Sequence, residues 1–435
     1  MKPPEQVIQR NRLLGEEVYR YNLDPGMELY VLPKPGYIKK YAIFSTRFGS
    51  IDNRYRVEGG EGIQELPDGV AHFLEHKLFE DERGNVFDRF ASLGASANAF
   101  TSFTNTTYLF SCTSFFEENL ELLLDFVQEP YFTEETVQKE QGIIGQEIQM
   151  YADHPRWKVF TNLLGALYQE HPVRRDIAGS LESIAQINPE LLYRCYRTYY
   201  HPSNMAVFVV GDLEPGRVAE QVQENLSRRP YRPLGEIERF YPEEPPEIKE
   251  RRVTAELTVS NPIIYIGFKD PEVDKLGGEE LFRQEIIMEL LMEILFGHSE
   301  PLYNQLYQEG LIDAQFEAGY TAEQTYGYAL IGGESRDPEE LYRRILEAIE
   351  EMQKKGISRE QFERHRRNIL GGFIRRFNSL EFIAHNFLGY RFKGIDLFRF
   401  PELLQQVTLG QVTAALEKNL AERYHAVSII NPRTG

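Results

Sequence analysis

The sequence predicts a two-domain α+β protein built by duplication, and three observations carry that prediction. The chain has 435 residues, too many for one ordinary core and suited to two domains of roughly 200 residues each. Strand-like and helix-like stretches mix within each half. The second half then replays the element order of the first, the mark of a repeated unit. Between the halves, residues 227–252 carry five prolines and mixed charge without a hydrophobic period, which reads as a linker. The domains are therefore expected at 1–226 and 253–435.

Composition is globular, with 42% hydrophobic and 26% charged residues. No run approaches the ~18 apolar residues of a membrane span, so no membrane association is expected. The start, Met1 to Gln6, passes into charged, helix-like sequence without a signal-peptide core, and the expected compartment is the cytoplasm. Cys112 and Cys195 lack metal-ligand spacing and are too few for a disulfide framework. A net charge of −19 argues against nucleic-acid binding and suits cationic peptides, although most of it reads as a solubilising surface.

Taken in order, Met27 to Leu32 and Tyr41 to Phe48 read as strands separated by the Pro33-Lys34-Pro35-Gly36 turn. Residues 71–79 form a helix, followed by a shorter one from Val86 to Leu93 that stops at Gly94. The small residues of Ala95 to Ala99, where another backbone could approach closely, lead into a strand from Thr107 to Cys112. Phe115 to Val127 is an amphipathic helix. Thr133 caps a long helix through Tyr151, with Glu134 and Glu135 in its favourable first turn. A strand from Met205 to Gly211 closes the first half. The second half runs strand 262–268, helix 281–296, helix 300–308, strands 314–318 and 326–332, helices 338–355 and 358–376, and a last strand 426–430.

Chemistry concentrates in Ala71-His72-Phe73-Leu74-Glu75-His76, which reads His-x-x-Glu-His, the reverse of the commoner zinc motif. On a helix, His72 and His76 lie one turn apart on one face, so both imidazoles can reach one ion. Glu75 borders that face, close enough to address a water on the ion. Pro67-Asp68-Gly69 is a turn signal placed where the helix begins. The plain alternative is two helical histidines four apart by coincidence, but with nine histidines in the chain the five-residue pattern should arise by chance only roughly a few hundredths of a time. Downstream, Glu140 and Glu147 are seven apart and project from nearly the same helical face. Both are candidates for the missing anionic ligand, and spacing does not choose between them. His154, His171 and His201 each precede a proline and read as loop residues. The second-half helix keeps Glu285, Glu289 and Glu293 but has no histidine pair.

These residues resemble the family of pitrilysin, insulin-degrading enzyme and mitochondrial processing peptidase, the inverzincins. The resemblance rests on Gly69 to His76, on Gly94 with Asn98-Ala99-Phe100-Thr101, on Glu140 with Glu147, and on Tyr200 to Asn204 followed by Val209 to Asp212. It implies two similar α+β domains, each a mainly antiparallel sheet packed with helices. It also implies Zn2+ held by His72, His76 and Glu147, with Glu75 as general base and Glu140 orienting a ligand histidine. Asn98 and Ala99 would bind an extended peptide substrate by strand pairing. A three-ligand site keeps a position open, as hydrolysis requires.

One departure bears on partners. Many relatives carry an arginine and a tyrosine in the second half that close over the substrate carbonyl. The corresponding stretch here is Leu306 to Asp313, with Tyr307 where the arginine stands and Asp313 on or beside the tyrosine position. In two-protein bacterial versions a sister subunit without the zinc motif supplies that pair in trans. The resemblance thus implies a zinc-bearing peptidase subunit of a heterodimer, with a homodimer the weaker choice. The rival reading is a non-catalytic scaffold, or a dedicated maturation subunit, of the same fold.

Overall fold

The computed structural model describes residues 5–433 apart from Arg12, Glu61 and Arg83. It divides into two compact units. The first gathers the chain through Ile148, Asp176–Phe240 and Arg376–Phe392; the second gathers Gln149–Arg175, Tyr241–Arg375 and the chain from Lys393.

The first unit is organised on a seven-stranded sheet. Its order is Glu5–Asn11, Glu16–Leu23, Met27–Pro33, Met205–Gly211, Lys40–Thr46, Thr106–Cys112 and Ser96–Thr101. Every pairing is antiparallel except that of Met205–Gly211 with Met27–Pro33. Met205–Gly211 is an unbroken apolar run, buried along its whole length, as a central strand covered on both faces must be. The N-terminal stretch expected to be helix-like is instead the outer strand pair of this sheet.

The second unit has a five-stranded sheet in the order Arg252–Leu257, His425–Pro432, Ile263–Lys269, Gly327–Glu334 and Glu317–Ala322. Its one parallel pair is Arg252–Leu257 with His425–Pro432. Strand for strand this matches the last five positions of the first sheet, parallel pair included, so the duplication is visible in topology. The strand expected at 314–318 lies three residues later. Asp313 makes a turn, accepting Gln315 N at its side chain (2.9 Å) and Phe316 N at its carbonyl (3.3 Å), and this keeps the preceding residues out of the ladder.

The compact units do not follow chain order. Helix Pro155–Leu167, from the first half of the sequence, packs on the second sheet, and helix Leu380–Phe392, from the second half, packs on the first. Phe387 seats the latter between Tyr30 (4.9 Å) and Phe208 (4.6 Å). Within the stretch expected to be a linker, Ile237–Arg239 pairs with Arg54–Val57 of the first unit.

Gly267 explains how closely the first of these helices can approach its sheet. A Cβ there would lie 2.8 Å from Leu167 Cδ1 and 2.9 Å from Leu163 Cδ2, inside contact distance for buried leucines. Gly267→Ala is expected to lower stability by about 1–3 kcal/mol through overpacking, read as a reduced midpoint in urea. An unchanged midpoint would show that the helix can shift away without loss.

Candidate metal centre

The motif helix is Val70–Leu78. Gly69 precedes it at φ 90, a left-handed conformation that favours glycine. A Cβ there would also meet Ala178 O at 2.4 Å. Ser183 Oγ donates to Asp68 O at 2.8 Å, fastening the same turn. Phe73 and Leu74 are fully buried, and His76 alone of the helix's residues is not buried, so packing around the helix fixes its rotation.

That anchoring sets His72 and His76 side by side, ring centroids 4.5 Å apart. The long helix Glu134–Ala152 brings Glu147 to them: Oε2 lies 3.7 Å from His72 Nε2 and 3.4 Å from His76 Nε2. One ligand atom from each of the three falls within 4.8 Å of the others, the only such His/Cys/Asp/Glu group among the described residues. Glu140, two turns earlier, reaches the other nitrogen of His76, with Oε1 3.0 Å from Nδ1. A proton held at Nδ1 by that carboxylate leaves the Nε2 lone pair facing Glu147 and His72.

The electrostatics suit a cation. His72 is 8% exposed; burial and then the neighbouring His76 push its pKa down to about 3, so it stays a neutral donor. Its Nδ1 is buried without a hydrogen-bond partner. Burial also works against charge on His76. The Glu140 hydrogen bond and the carboxylates of Glu75, Glu140 and Glu147 outweigh it and raise that pKa. Three carboxylates around two imidazoles are short of positive charge, and two nitrogens with one carboxylate are a donor set that zinc accepts.

Glu75 is 9% exposed and stands apart from the three-residue cluster. Thr101 Oγ1 donates to its Oε2 at 2.6 Å. Burial, and secondarily the charge of Glu147, raise its pKa above the ordinary carboxylate range against the opposing effects of Thr101 and His76. The result is a more basic carboxylate with one oxygen committed. Thr101 carried no role in the sequence reading. Its place two residues beyond Ala99, on the same face of a strand, was the available signal.

Asn98 and Ala99 lie on Ser96–Thr101, an edge strand that among the described residues pairs only with Thr106–Cys112. They share a cavity of about 600 Å³ with Glu75, His76, Glu140 and the Phe79–Phe87 pair, whose rings stack at 4.1 Å. His154, His171 and His201 have other duties. Each caps a short or long helix whose first residue is the following proline, accepting from Trp157 N, Val173 N and Ser203 N respectively. Tyr307 and Asp313 belong to the second unit, where Tyr307 is 52% exposed at the end of helix Pro301–Gln308. No helix among the described residues is long and apolar enough to cross a membrane.

Comparison with known proteins matches this arrangement to one family. Residues 62–180 match the domain described as Insulinase (Peptidase family M16), and residues 186–369 the Peptidase M16 inactive domain. The uncharacterized zinc protease YmfH of Bacillus subtilis is 44% identical over 421 residues, spanning 97% of this chain and 98% of its own. The crystal structure of an M16-like peptidase from Alicyclobacillus acidocaldarius superposes with a TM-score of 0.93 at 38% identity, over 96% of this chain and 99% of that one. A protease from Helicobacter pylori shares the fold at TM-score 0.81 and 18% identity, over 99% of this chain and 100% of that one. The chain is a member of peptidase family M16, the insulinase family.

Proposed function

We propose that this chain is a zinc-dependent endopeptidase acting on peptides or short unfolded segments, and that it works as the zinc-bearing subunit of a heterodimer. The observation that carries the reading is the convergence of His72, His76 and Glu147 within 4.8 Å beside an independently held carboxylate, Glu75. Those three side chains hold the metal, and Glu140 fixes the ring of His76. Zinc, when bound, supplies a Lewis acid that acidifies water and polarises a carbonyl.

The chain's own groups do the rest. Thr101 holds one oxygen of Glu75, so the other is free to take a proton from the attacking water. The same carboxyl, its pKa raised by burial, then returns the proton to the leaving amine. The edge strand Ser96–Thr101 offers backbone donors and acceptors to an extended peptide and lays it across the cavity.

The heterodimer rests on what the second unit carries. By the resemblance, Tyr307 stands where many relatives place an arginine and Asp313 falls on or beside the position of their tyrosine, and an aspartate in that role would repel a developing oxyanion. A sister chain lacking the zinc motif supplies the arginine and tyrosine instead. The deciding experiment measures hydrolysis of an unstructured peptide by the zinc-loaded chain alone and mixed with such a sister. Activity confined to the mixture is the expected result. Full activity of the chain alone would remove the obligate partner, and inactivity of both with zinc bound would favour the scaffold reading. The match of residues 186–369 to an inactive domain fits that scaffold reading only for the part of the chain outside the motif.

A further inference from the structure

Asn98 obstructs the strand edge that a peptide would use. The hairpin following Ser96–Thr101 is closed by Ser102 N donating to Asn105 O at 2.8 Å. Antiparallel pairs alternate between bonded and non-bonded. With Thr101 opposite Thr106, Phe100 opposite Thr107, Ala99 opposite Tyr108 and Asn98 opposite Leu109, the bonded pairs are Phe100–Thr107 and Asn98–Leu109. Ala97, Ala99 and Thr101 therefore turn their backbone N–H and C=O groups to the open edge. At Ala99 that outward donor is already taken: Asn98 Oδ1 accepts Ala99 N–H at 2.9 Å.

The second unit shows that the ladder itself does not demand this contact. Its equivalent edge strand, Glu317–Ala322, ends in a hairpin closed the same way, by Glu323 N donating to Tyr326 O at 2.8 Å. Counting back four residues from each closing donor equates Asn98 with Gly319. A Cβ at Gly319 would meet nothing within 4 Å, so a side chain could stand there and none does. One edge is guarded and its duplicate is not.

We propose that Asn98 is a removable guard on the first edge strand. In the resting chain its amide occupies the Ala99 donor; an incoming extended peptide takes that donor with a backbone carbonyl and displaces the side chain. For a peptide that adds antiparallel, the residue opposite Ala99 must both donate and accept, so proline is excluded there. The guard also blunts an exposed edge that would otherwise invite pairing between chains. This inference rests on the peptide-binding reading of the site.

The test uses the full chain carrying Glu75→Gln, so that peptide is bound without being cut. The probe is a fluorescein-labelled, proline-free, unstructured peptide of about twenty residues, long enough to span a strand. Adding Asn98→Ala is expected to tighten binding roughly three- to tenfold, the range one hydrogen bond is worth, and to speed hydrogen exchange at the Ala99 amide. Asn98→Asp keeps the acceptor, charges it and is expected to weaken binding and slow that exchange. Equal or weaker binding by Asn98→Ala, or unchanged Ala99 exchange, would overturn the guard. If the unsubstituted chain mixed with its sister cleaves peptides while Asn98→Ala fails to tighten, the guard alone is wrong. If nothing binds and the mixture with the sister chain cleaves nothing, the peptidase reading falls with it.

Discussion

Glu75→Gln is expected to cut peptide hydrolysis by roughly 10²–10⁴-fold, the range a general base contributes, while the protein keeps stoichiometric zinc. The two outcomes separate because Glu75 lies outside the His72, His76 and Glu147 cluster and is held by a different partner, Thr101. Glutamine has the same shape, and its carbonyl oxygen can still accept from the Thr101 hydroxyl, so the site should keep its form. Folding stability should be unchanged or slightly higher, since burial already disfavours the charged carboxylate. Metal analysis alongside initial rates in the assembled enzyme decides the matter. Substantial residual hydrolysis would assign the proton transfer to another group.

His72→Ala is expected to abolish zinc binding. It removes one of only two nitrogen donors, and the remaining pair, His76 and Glu147, cannot fix an ion against water. Glu140→Gln sets the comparison. Its carboxylate touches His76 Nδ1 and not the space among the three ligand atoms, so it should weaken zinc by the 10–100-fold typical of groups that orient a ligand. Competition with a chelator would rank the native protein first, Glu140→Gln next and His72→Ala last. Stoichiometric zinc in His72→Ala would move the site elsewhere; equal losses in both variants would promote Glu140 to a ligand.

The motif helix was legible because its chemistry and its fold use the same residues. His72, Glu75 and His76 need helical spacing to act together, and Phe73 and Leu74 need it to be buried. The two distal carboxylates were legible only as a pair. Seven residues apart, they share a face, and which lies nearer the ring nitrogens depends on how far the long helix slides past the motif helix. Packing sets that offset. The strand Glu5–Asn11 was misread because an outer strand is solvated at its edge and rich in Glu, Gln and Arg, residues that favour helices in isolation. Nothing in Pro155–Leu167 says which sheet its apolar face will meet. Gly267, the residue that receives it, lies more than ninety positions downstream.

The exchange of those two helices has a consequence for dissecting the protein. The backbone passes from one unit to the other after residues 148, 175, 240, 375 and 392, five passages where two tandem domains would need one. A fragment ended in the proline-rich stretch would carry Pro155–Leu167 with no sheet to lie on and would lack Leu380–Phe392 from its own. Neither half is thus a candidate for autonomous folding or for recombination as a cassette. Duplication produced two units, and the chain laces between them so that no single cut leaves either unit complete.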